Sequence, residues 1–244
     1  MKRYGLIGYP LSHSFSQRYF TEKFEREGIR DCSYSNFPLT DIGELPAILA
    51  DPDLCGLNVT IPYKQQIIPF LSELTPVVES IGACNCIRIV AGQLVGHNTD
   101  VVGFERSLLP QLKPHHRQAL ILGTGGASKA VEYVLHQLGI GYRLVSRTPR
   151  PDTGDLAYAD IDAGVLAAAT LVVNTTPIGM YPNVDVCPPL PYEALTPRHY
   201  LFDLIYNPEK TLFLQKGAGR GAAIANGHDM LVLQAEESWR IWNR

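Results

Sequence analysis

The sequence predicts an α/β protein with two domains and a cleft between them. Its 244 residues suffice for two modest domains. Short apolar runs typical of buried strands alternate with segments of helical periodicity along much of the chain. One such run, at 119–122, is followed at once by a glycine-rich turn, a helical segment and a second strand. This order is the βαβ unit of a Rossmann-like nucleotide-binding domain.

The glycine-rich turn is the most informative stretch of the chain. A dinucleotide pyrophosphate has to lie against backbone N–H groups at the start of a helix, and a Cβ in the turn would block its approach. Because a strand precedes the turn and a helix follows it, the motif has the context that makes it specific. The residues expected to hold the cofactor here are Gly123, Thr124, Gly125, Gly126 and Ala127.

The end of the second strand predicts which dinucleotide is bound. A site for NAD usually has Asp or Glu about 20 residues after the turn, where it holds the ribose 2′-hydroxyl. This chain has Ser146, Arg147 and Thr148 there, with Arg150 close behind. Uncharged and basic residues suit a 2′-phosphate, so NADP(H) is the expected cofactor. The alternative is that both arginines are ordinary solvated loop charges.

The first part of the chain predicts a separate α/β domain that binds the substrate. Apolar and alternating runs indicate strands at 4–8, 32–37 and 56–61 and a hairpin with strands at 81–90 and 93–97. Helical periodicity predicts helices at 17–27, 41–49, 64–71 and 101–109.

After the βαβ unit, Pro149, Pro151 and Gly154 argue against a helix directly behind its second strand. Further elements are expected as strands at 171–174, 200–206 and 222–225 and helices at 211–216 and 229–242. We therefore expect a substrate domain at 1–104, a nucleotide domain at 105–228, and a last helix at 229–244 that packs back on the first domain.

Composition excludes several classes of partner. Hydrophobic residues make up 45% of the chain and charged residues 18%, as in ordinary globular proteins. A net charge of −3 gives no reason to expect nucleic acid or an anionic membrane as partner. No apolar run approaches the ~20 residues that span a bilayer, and the N-terminus lacks the apolar stretch of a signal peptide.

Cysteine usage points to a reducing compartment. The five cysteines are odd in number and match neither a C-x-x-C nor a zinc pattern, so no metal site is predicted. Reduced cysteines in a cytoplasmic protein are the expected state.

Polar residues follow several of the predicted strands. Ligands of α/β sheets bind beyond the carboxyl ends of the strands. The hydroxyl, amide and charged residues found there suit a small, oxygen-rich, anionic substrate: Ser14, Ser16, Asn58, Thr60, Lys64, Asn85, Asn98, Asp100 and Tyr206. Hydride transfer also needs a group that accepts the hydroxyl proton, for which Lys64 with Asp100 is the best candidate. Taken singly, each residue has an ordinary explanation as a cap, a turn residue or a solvated charge.

Four short motifs in the first domain together resemble the shikimate dehydrogenase family, and the similarity extends over nearly the whole chain. They are GYPLSHSFS at 8–16, NVTIPYK at 58–64, GACN at 82–85 and NTD at 98–100. In the second domain the family motifs correspond to GTGGA at 123–127, SRT at 146–148, NTTPIGM at 174–180, DLIYNP at 203–208 and NGHDMLVLQA at 226–235. Ser146 stands where the family usually has Asn, and the segment 149–164 is shorter than in the family.

The resemblance implies a function and a role for each matching residue. The implied reaction is the reversible, NADPH-dependent reduction of 3-dehydroshikimate to shikimate, in the pathway to the aromatic amino acids. Lys64 and Asp100 are implied to be catalytic. Substrate contacts are implied for Ser14, Ser16, Asn58, Thr60, Asn85, Asp100, Tyr206 and Gln234. Cofactor contacts are implied for the glycine turn, for Ser146, Arg147 and Thr148, and for Thr175, Leu204, Gly227 and Met230. The family contains both monomers and homodimers.

Two other functions stay open on the sequence alone. One is a paralogue that oxidises quinate with NAD, against which Ser14, Thr60 and Arg147 argue. The other is a non-catalytic binding protein of the same fold, against which the presence of both Lys64 and Asp100 argues.

Overall fold

The computed structural model describes residues 1–11, 14–150 and 152–244. Ser12 and His13, which belong to the first family motif, and Pro151 lie outside the described residues. The chain divides into two compact units. The first, which we call the N-terminal unit, comprises Met1–Thr99 and Ala235–Arg244, and the second, which we call the nucleotide unit, comprises Asp100–Gln234.

The N-terminal unit contains a mixed six-stranded sheet. Its strands are β1 (Lys2–Gly8), β2 (Cys32–Pro38), β3 (Leu54–Val59), β4 (Glu73–Leu74), β5 (Cys86–Val90) and β6 (Gln93–His97), arranged in the order β2-β1-β3-β5-β6-β4. Its helices are α1 (Phe15–Glu27), α2 (Leu45–Leu49) and α3 (Pro76–Ile81). The three strands β1, β2 and β3 run parallel, so their carboxyl ends meet at one edge, where the first two family motifs begin.

The last helix, α8 (His228–Trp242), contributes its final residues to the core of the N-terminal unit. The ring of Trp242 stacks on Tyr4 at 4.8 Å between centroids, and its indole N–H donates to the carbonyl oxygen of Ile87 at 3.0 Å. Buried aromatic pairs of this kind add about 0.5–1.5 kcal/mol beyond the area they bury.

The nucleotide unit contains a second six-stranded sheet, in which every pair of neighbouring strands is parallel. Its strands are β7 (Gln118–Leu122), β8 (Gly141–Ser146), β9 (Leu156–Ala157), β10 (Leu171–Asn174), β11 (Tyr200–Asp203) and β12 (Ala223–Ala225). Its remaining helices are α4 (Asp100–Leu108), α5 (Gly126–Gln137), α6 (Ala163–Ala168) and α7 (Leu212–Ala218). The order β12-β11-β10-β7-β8-β9 is the doubly wound order of dinucleotide-binding sheets, with the switch point between β7 and β10. The predicted α/β fold with a Rossmann-like second part is therefore confirmed.

The connection from β8 to β9 contains no helix in its described residues, as the prolines predict. Across the turn, the Arg150 guanidinium donates to the Asp155 carboxylate at 2.8 Å. The short strand β9 then pairs with the end of β8, with Val145 opposite Leu156.

Two local predictions are wrong, and one helix was not predicted. The expected helix at 64–71 is a series of turns with a 3₁₀ segment at Ile68–Phe70, because Pro69 has no N–H for a helical hydrogen bond. The expected strand from residue 81 begins at Cys86, and α3 precedes it, with Pro76 in its first turn and Gly82 in the left-handed conformation after its end. Helix α6, which Asp162 caps at the N–H of Val165, is absent from the sequence-based expectation.

No helix among the described residues is long and apolar enough to cross a bilayer.

Replacing Gly56 by alanine should destabilise the N-terminal unit. A Cβ at Gly56 would lie 2.3 Å from the indole nitrogen of Trp242, a rigid and buried side chain that cannot yield. Such overpacking costs about 1–3 kcal/mol, which urea denaturation should detect. The control is Gly219→Ala in a helical conformation, where the nearest atom to a new Cβ is 3.5 Å away and stability should hold or rise slightly. Equal stability of the two variants would contradict the packing argument.

Candidate active site

A cavity of about 350 Å³ lies at the switch point of the nucleotide sheet. Its walls come from the turn after β7, the end of β8 and the loop after β10, so it sits beyond the carboxyl ends of three neighbouring strands. This is the place where open α/β sheets bind nucleotides. The lining residues include Gly123, Thr124, Gly125, Ser146, Arg147, Tyr158, Thr175 and Thr176.

The glycine turn fits a pyrophosphate. Gly123 has φ of 108°, a conformation that favours glycine, and a Cβ there would lie 2.8 Å from the Thr175 hydroxyl. A Cβ added at Gly125 or Gly126 would meet no atom within 4 Å, so these positions border open space at the start of α5. Backbone N–H groups at such a helix terminus attract anions. These residues therefore suit the phosphates of a dinucleotide.

The two arginines that follow β8 differ in whether their side chains already have a partner in the protein. Arg147 is exposed and makes no hydrogen bond or ion pair with the described residues. Its positive charge lies near the phenol of Tyr158. The Ser146 hydroxyl accepts from the N–H of Thr148 at 3.1 Å, which shapes the turn beside it. Arg150, by contrast, is tied to Asp155, whose pKa is lowered by this hydrogen bond. Arg147 is thus the better placed of the two arginines to meet a phosphate.

Tyr158 is a lining residue that sequence reasoning missed. It follows β9 directly, packs against the core of the nucleotide unit and borders the same cavity as Arg147. Burial raises the pKa of its phenol, and the Arg147 charge opposes that shift. No sequence signal identifies it, because the register of a two-residue strand decides where it points.

The remaining predicted cofactor residues lie elsewhere in the nucleotide unit. Thr175 borders the cavity and donates its hydroxyl to the carbonyl oxygen of Leu122 at 2.7 Å. Leu204 and Gly227 meet closely, since a Cβ on Gly227 would lie 2.0 Å from the Leu204 carbonyl oxygen. Met230 approaches Gly103 in a similar way, since a Cβ on Gly103 would lie 2.6 Å from the Met230 carbonyl oxygen.

A buried carboxylate anchors the ends of β10 and β11. Asp203 is fully buried and accepts hydrogen bonds from the Asn174 amide at 3.0 Å, the Thr211 hydroxyl at 2.6 Å and the N–H of Ile205 at 3.1 Å. Burial raises its pKa to about 6, although these three hydrogen bonds act in the opposite direction. Thr211 is also the N-cap of α7, so the carboxylate joins two strands and a helix.

In the N-terminal unit, the two predicted serines stand at the start of α1. Ser14 is at the N-cap position but makes no capping hydrogen bond, and its buried hydroxyl has no partner among the described residues. An unsatisfied buried hydroxyl is costly, so a ligand that accepts from it is favoured. The ordinary explanation of Ser14 as a helix cap therefore does not apply.

The structure joins Asn58 and Asn85, both of which are at least 95% buried, in one hydrogen-bonded network. Asn58 donates to the Ser238 hydroxyl at 2.9 Å and to the Asn85 backbone carbonyl at 3.3 Å, and accepts from the Tyr34 phenol at 2.9 Å. Tyr34 and Ser238 are not among the predicted residues. They escape sequence reasoning because Ser238 is 180 residues away from Asn58 in the chain.

The two predicted residues that follow β3 are held by their backbones. Thr60 donates its backbone N–H to the Ile7 carbonyl at 2.9 Å. Lys64 is half-buried in the turns after β3, and its carbonyl oxygen accepts from the N–H of Cys84 at 2.8 Å. Both residues therefore have a fixed backbone position in the N-terminal unit.

The other predicted substrate residues belong to the nucleotide unit. They are Asp100, the first residue of α4, Tyr206, in the loop after β11, and Gln234, in α8. Their grouping with Lys64 stays a prediction.

In the part of the chain that the structure describes, no three His, Cys, Asp or Glu side chains are grouped so that they could hold a metal ion.

The fold and the cavity define a dinucleotide-binding protein of the doubly wound α/β class, and the comparisons with known proteins place it more closely. Residues 6–87 match the family model of the shikimate dehydrogenase substrate binding domain. An NADP-dependent shikimate dehydrogenase from Nostoc sp. is 38% identical over 262 residues, which cover 99% of this chain and 90% of the relative. The chain belongs to the shikimate dehydrogenase family.

Two solved structures are similar over nearly their whole length. The shikimate 5-dehydrogenase of Thermus thermophilus, in complex with NADP(H) and shikimate, has a TM-score of 0.86 and 31% identity, covering 99% of this chain and 93% of its own. The quinate dehydrogenase of Corynebacterium glutamicum, in complex with NAD, has a TM-score of 0.88 and 28% identity, with the same coverage.

The raised pKa of Asp203 predicts that stability falls with rising pH. The folded protein keeps this proton up to a pH of about 6, whereas the unfolded chain releases it near 4. The contribution of Asp203 to the free energy of unfolding should therefore decrease between a pH of about 4 and 6, by at most about 3 kcal/mol. In Asp203→Asn, which keeps an acceptor for the Asn174 amide, this decrease should be absent from denaturation curves.

The control is Asp185→Asn, which removes an exposed carboxyl group of the same unit and should leave the contribution of Asp203 in place. A parallel decline in Asp203→Asn and the parent would show that another group causes it.

Proposed function

We propose that this protein catalyses the reversible NADPH-dependent reduction of 3-dehydroshikimate to shikimate, a step of aromatic amino acid biosynthesis. The observation that carries the proposal is the joint presence of a dinucleotide cavity with an exposed arginine and a neutral, buried polar network in the N-terminal unit. The first suits a phosphorylated dinucleotide and the second suits a hydroxylated ring. The reaction is that of an NADP-dependent oxidoreductase acting on a CH–OH group.

The cofactor is held, in this proposal, by the nucleotide unit. The N–H groups of the turn from Gly123 to Ala127 bind the pyrophosphate, and Arg147 binds the 2′-phosphate beside Ser146 and Thr148. The nicotinamide is bordered by Thr175, Leu204, Gly227 and Met230. When bound, NADPH supplies the hydride that reduces the ketone carbon.

The substrate is bound by neutral groups and one charged pair. Ser14 and Ser16 donate their hydroxyl hydrogens to the carboxylate, and the Ser14 hydroxyl, which has no partner among the described residues, is ready to do so. The ring hydroxyls are contacted by Asn58, Thr60, Asn85, Tyr206 and Gln234. Lys64 gives a proton from Nζ to the ketone oxygen during reduction and takes it back during oxidation, while the Asp100 carboxylate orients the same hydroxyl.

We propose residues 1–104 with 229–244 as the substrate domain and 105–228 as the cofactor domain, with the active site in a cleft between them that excludes water during hydride transfer. The protein acts in the cytoplasm, as a monomer or homodimer, on small molecules and without a nucleic acid or membrane partner.

A second candidate is a quinate dehydrogenase that uses NAD, because a protein of that name and cofactor has a TM-score of 0.88 to this chain. The exposed Arg147 at the cavity disfavours it, since no 2′-phosphate is present on NAD for that arginine to bind.

Absorbance of the reduced nicotinamide separates the candidates. Purified protein should reduce NADP⁺ with shikimate quickly, and should be much slower with quinate or with NAD⁺. Faster turnover with quinate and NAD⁺ would favour the second candidate. Absence of turnover with every pair, from protein that is folded by circular dichroism, would favour a non-catalytic binding protein.

Replacing Lys64 by alanine should abolish most turnover. Loss of a positioned acid–base group typically lowers kcat by about 10²–10⁴-fold, whereas KM for shikimate should change little because other groups bind the substrate. Steady-state kinetics at saturating NADP⁺ measure both. Gln66→Ala, an exposed change two residues further on, is the control for a local structural effect. Near-normal kcat in Lys64→Ala would remove Lys64 from the mechanism.

Replacing Arg147 by alanine should weaken NADP⁺ selectively. A charge-assisted hydrogen bond to phosphate contributes about 1.5–3 kcal/mol, so KM for NADP⁺ should rise at least ten-fold while KM for NAD⁺ is nearly unchanged. Arg150→Ala is the matched control, because Arg150 already pairs with Asp155, and its effect on the ratio of the two KM values should be small. If Arg150→Ala alters the ratio more than Arg147→Ala does, the assignment of the phosphate site is wrong.

A further inference from the structure

The buried polar network of the N-terminal unit contains three side chains without a role in the proposed reaction: Tyr34, Thr99 and Ser238. They come from β2, from the residue before α4 and from α8, and they surround Asn58 and Asn85. Thr99 and Ser238 are fully buried, and Tyr34 is 94% buried. Burying several polar side chains is costly unless each finds partners, so their arrangement constrains the whole group.

The orientation of the Asn58 amide is fixed by its neighbours. The backbone carbonyl of Asn85 can only accept, so the atom of Asn58 that faces it at 3.3 Å has to be the amide nitrogen. The second amide hydrogen points to the Ser238 hydroxyl at 2.9 Å, and the amide oxygen accepts from the Tyr34 phenol at 2.9 Å. Both hydrogens of Asn58 are therefore used, and one lone pair of its oxygen remains.

The orientation of the Asn85 side-chain amide is fixed by Thr99. Its amide oxygen accepts from the backbone N–H of Thr99 at 2.6 Å, which identifies that atom as oxygen. Its amide nitrogen donates to the Thr99 hydroxyl at 3.1 Å, and that hydroxyl in turn lies 3.3 Å from the Ser238 hydroxyl. One amide hydrogen of Asn85 remains without a partner among the described residues.

Tyr34 is itself held in place. Its ring stacks on Phe20 of α1, with 4.6 Å between centroids and 17° between planes. Ser16 lies one helical turn before Phe20, and its hydroxyl opposes the burial that raises the pKa of Tyr34. The phenol therefore stands between a predicted carboxylate-binding serine and a predicted hydroxyl-binding amide.

We propose that Tyr34 and Ser238 are positioning residues for shikimate, which hold the Asn58 amide so that it presents an acceptor to one ring hydroxyl while Asn85 presents a donor. This inference rests on the proposed function. It assigns which group donates and which accepts in two of the proposed hydrogen bonds to the substrate. A substrate hydroxyl can donate to the remaining lone pair of Asn58 and accept from the remaining N–H of Asn85. The opposite pairing is excluded, because turning the Asn58 amide over would place its oxygen against the Asn85 carbonyl oxygen, and neither atom carries a hydrogen to donate.

The test compares Tyr34→Phe and Ser238→Ala with the parent enzyme. Each change removes one hydrogen bond that orients Asn58, and each should raise KM for shikimate about five-fold, as expected for one neutral hydrogen bond. Because neither residue meets the reacting atoms or the cofactor, kcat at saturation and KM for NADP⁺ should stay within about two-fold. Tyr192→Phe is the matched control, since it removes a buried phenol that donates to the Pro188 carbonyl at 2.7 Å in the nucleotide unit. It should lower Tm without changing KM for shikimate.

The same two changes in an Asn58→Ala background distinguish positioning from a general structural effect. If Tyr34 and Ser238 act through Asn58, adding Tyr34→Phe or Ser238→Ala to Asn58→Ala should leave KM for shikimate unchanged. A further five-fold rise in that background would overturn the inference, as would an unchanged KM in the single variants.

A second readout does not depend on turnover. The side-chain amide of Asn58 should give a pair of ¹H–¹⁵N signals that is absent in Asn58→Ala, and Ser238→Ala should shift one signal of the pair. Unshifted signals in Ser238→Ala would overturn the inference even in an active enzyme. A parent protein that neither oxidises nor binds shikimate would overturn the proposed function together with the inference, whereas an active parent with unaffected variants overturns the inference alone.

Discussion

A buried amide or carboxylate without a hydrogen-bond partner is costly, and this constraint organises the carboxyl edge of both sheets. In the N-terminal unit the residue concerned is Asn58, one position before the end of β3. In the nucleotide unit it is Asn174, the last residue of β10. Each is satisfied by side chains from neighbouring elements, so that strand ends, loops and helices are fixed relative to one another within the unit. The ligand-binding edge of each sheet is thus tightly connected by polar contacts.

The two networks differ in charge, and the difference suits the ligand proposed for each unit. The network around Asn58 and Asn85 consists of amides and hydroxyls, which can exchange hydrogen bonds with a hydroxylated ring without bringing an ion out of water. The network around Asn174 contains the carboxylate of Asp203, which is enclosed by three donors and does not line the cavity. The nucleotide cavity itself has the positive charge of Arg147 at its rim, where a phosphate can meet it while it is still partly hydrated.

The parts of the fold that sequence predicts well are those set by local chemistry. The unit from β7 to β8 is defined by an apolar run, a turn that favours glycine at Gly123, and a helix with its apolar face on one side. Family motifs place the candidate residues at the ends of strands, and the strand order is the one that such motifs imply. The short helix α3 escapes prediction because six residues are too few to show a clear helical periodicity. The helix expected at 64–71 is wrong because a periodic pattern takes no account of Pro69, which lacks the N–H of a helical hydrogen bond.

The sequence could not reveal which polar residues share a network, because that depends on contacts between distant parts of the chain. Ser238 reaches Asn58 only because Trp242, one turn further along α8, packs on Tyr4 and over Gly56, where a side chain would prevent the approach. Arg147 and Arg150 look equivalent in sequence, and only the turn that brings Asp155 to Arg150 separates them. In both cases an ordinary packing contact decides which of several similar polar groups stays available to a ligand. The groups that can bind a ligand in this chain therefore depend on two things. One is the residues that the family motifs name, and the other is the neighbouring side chains that already use some of their hydrogen-bonding capacity.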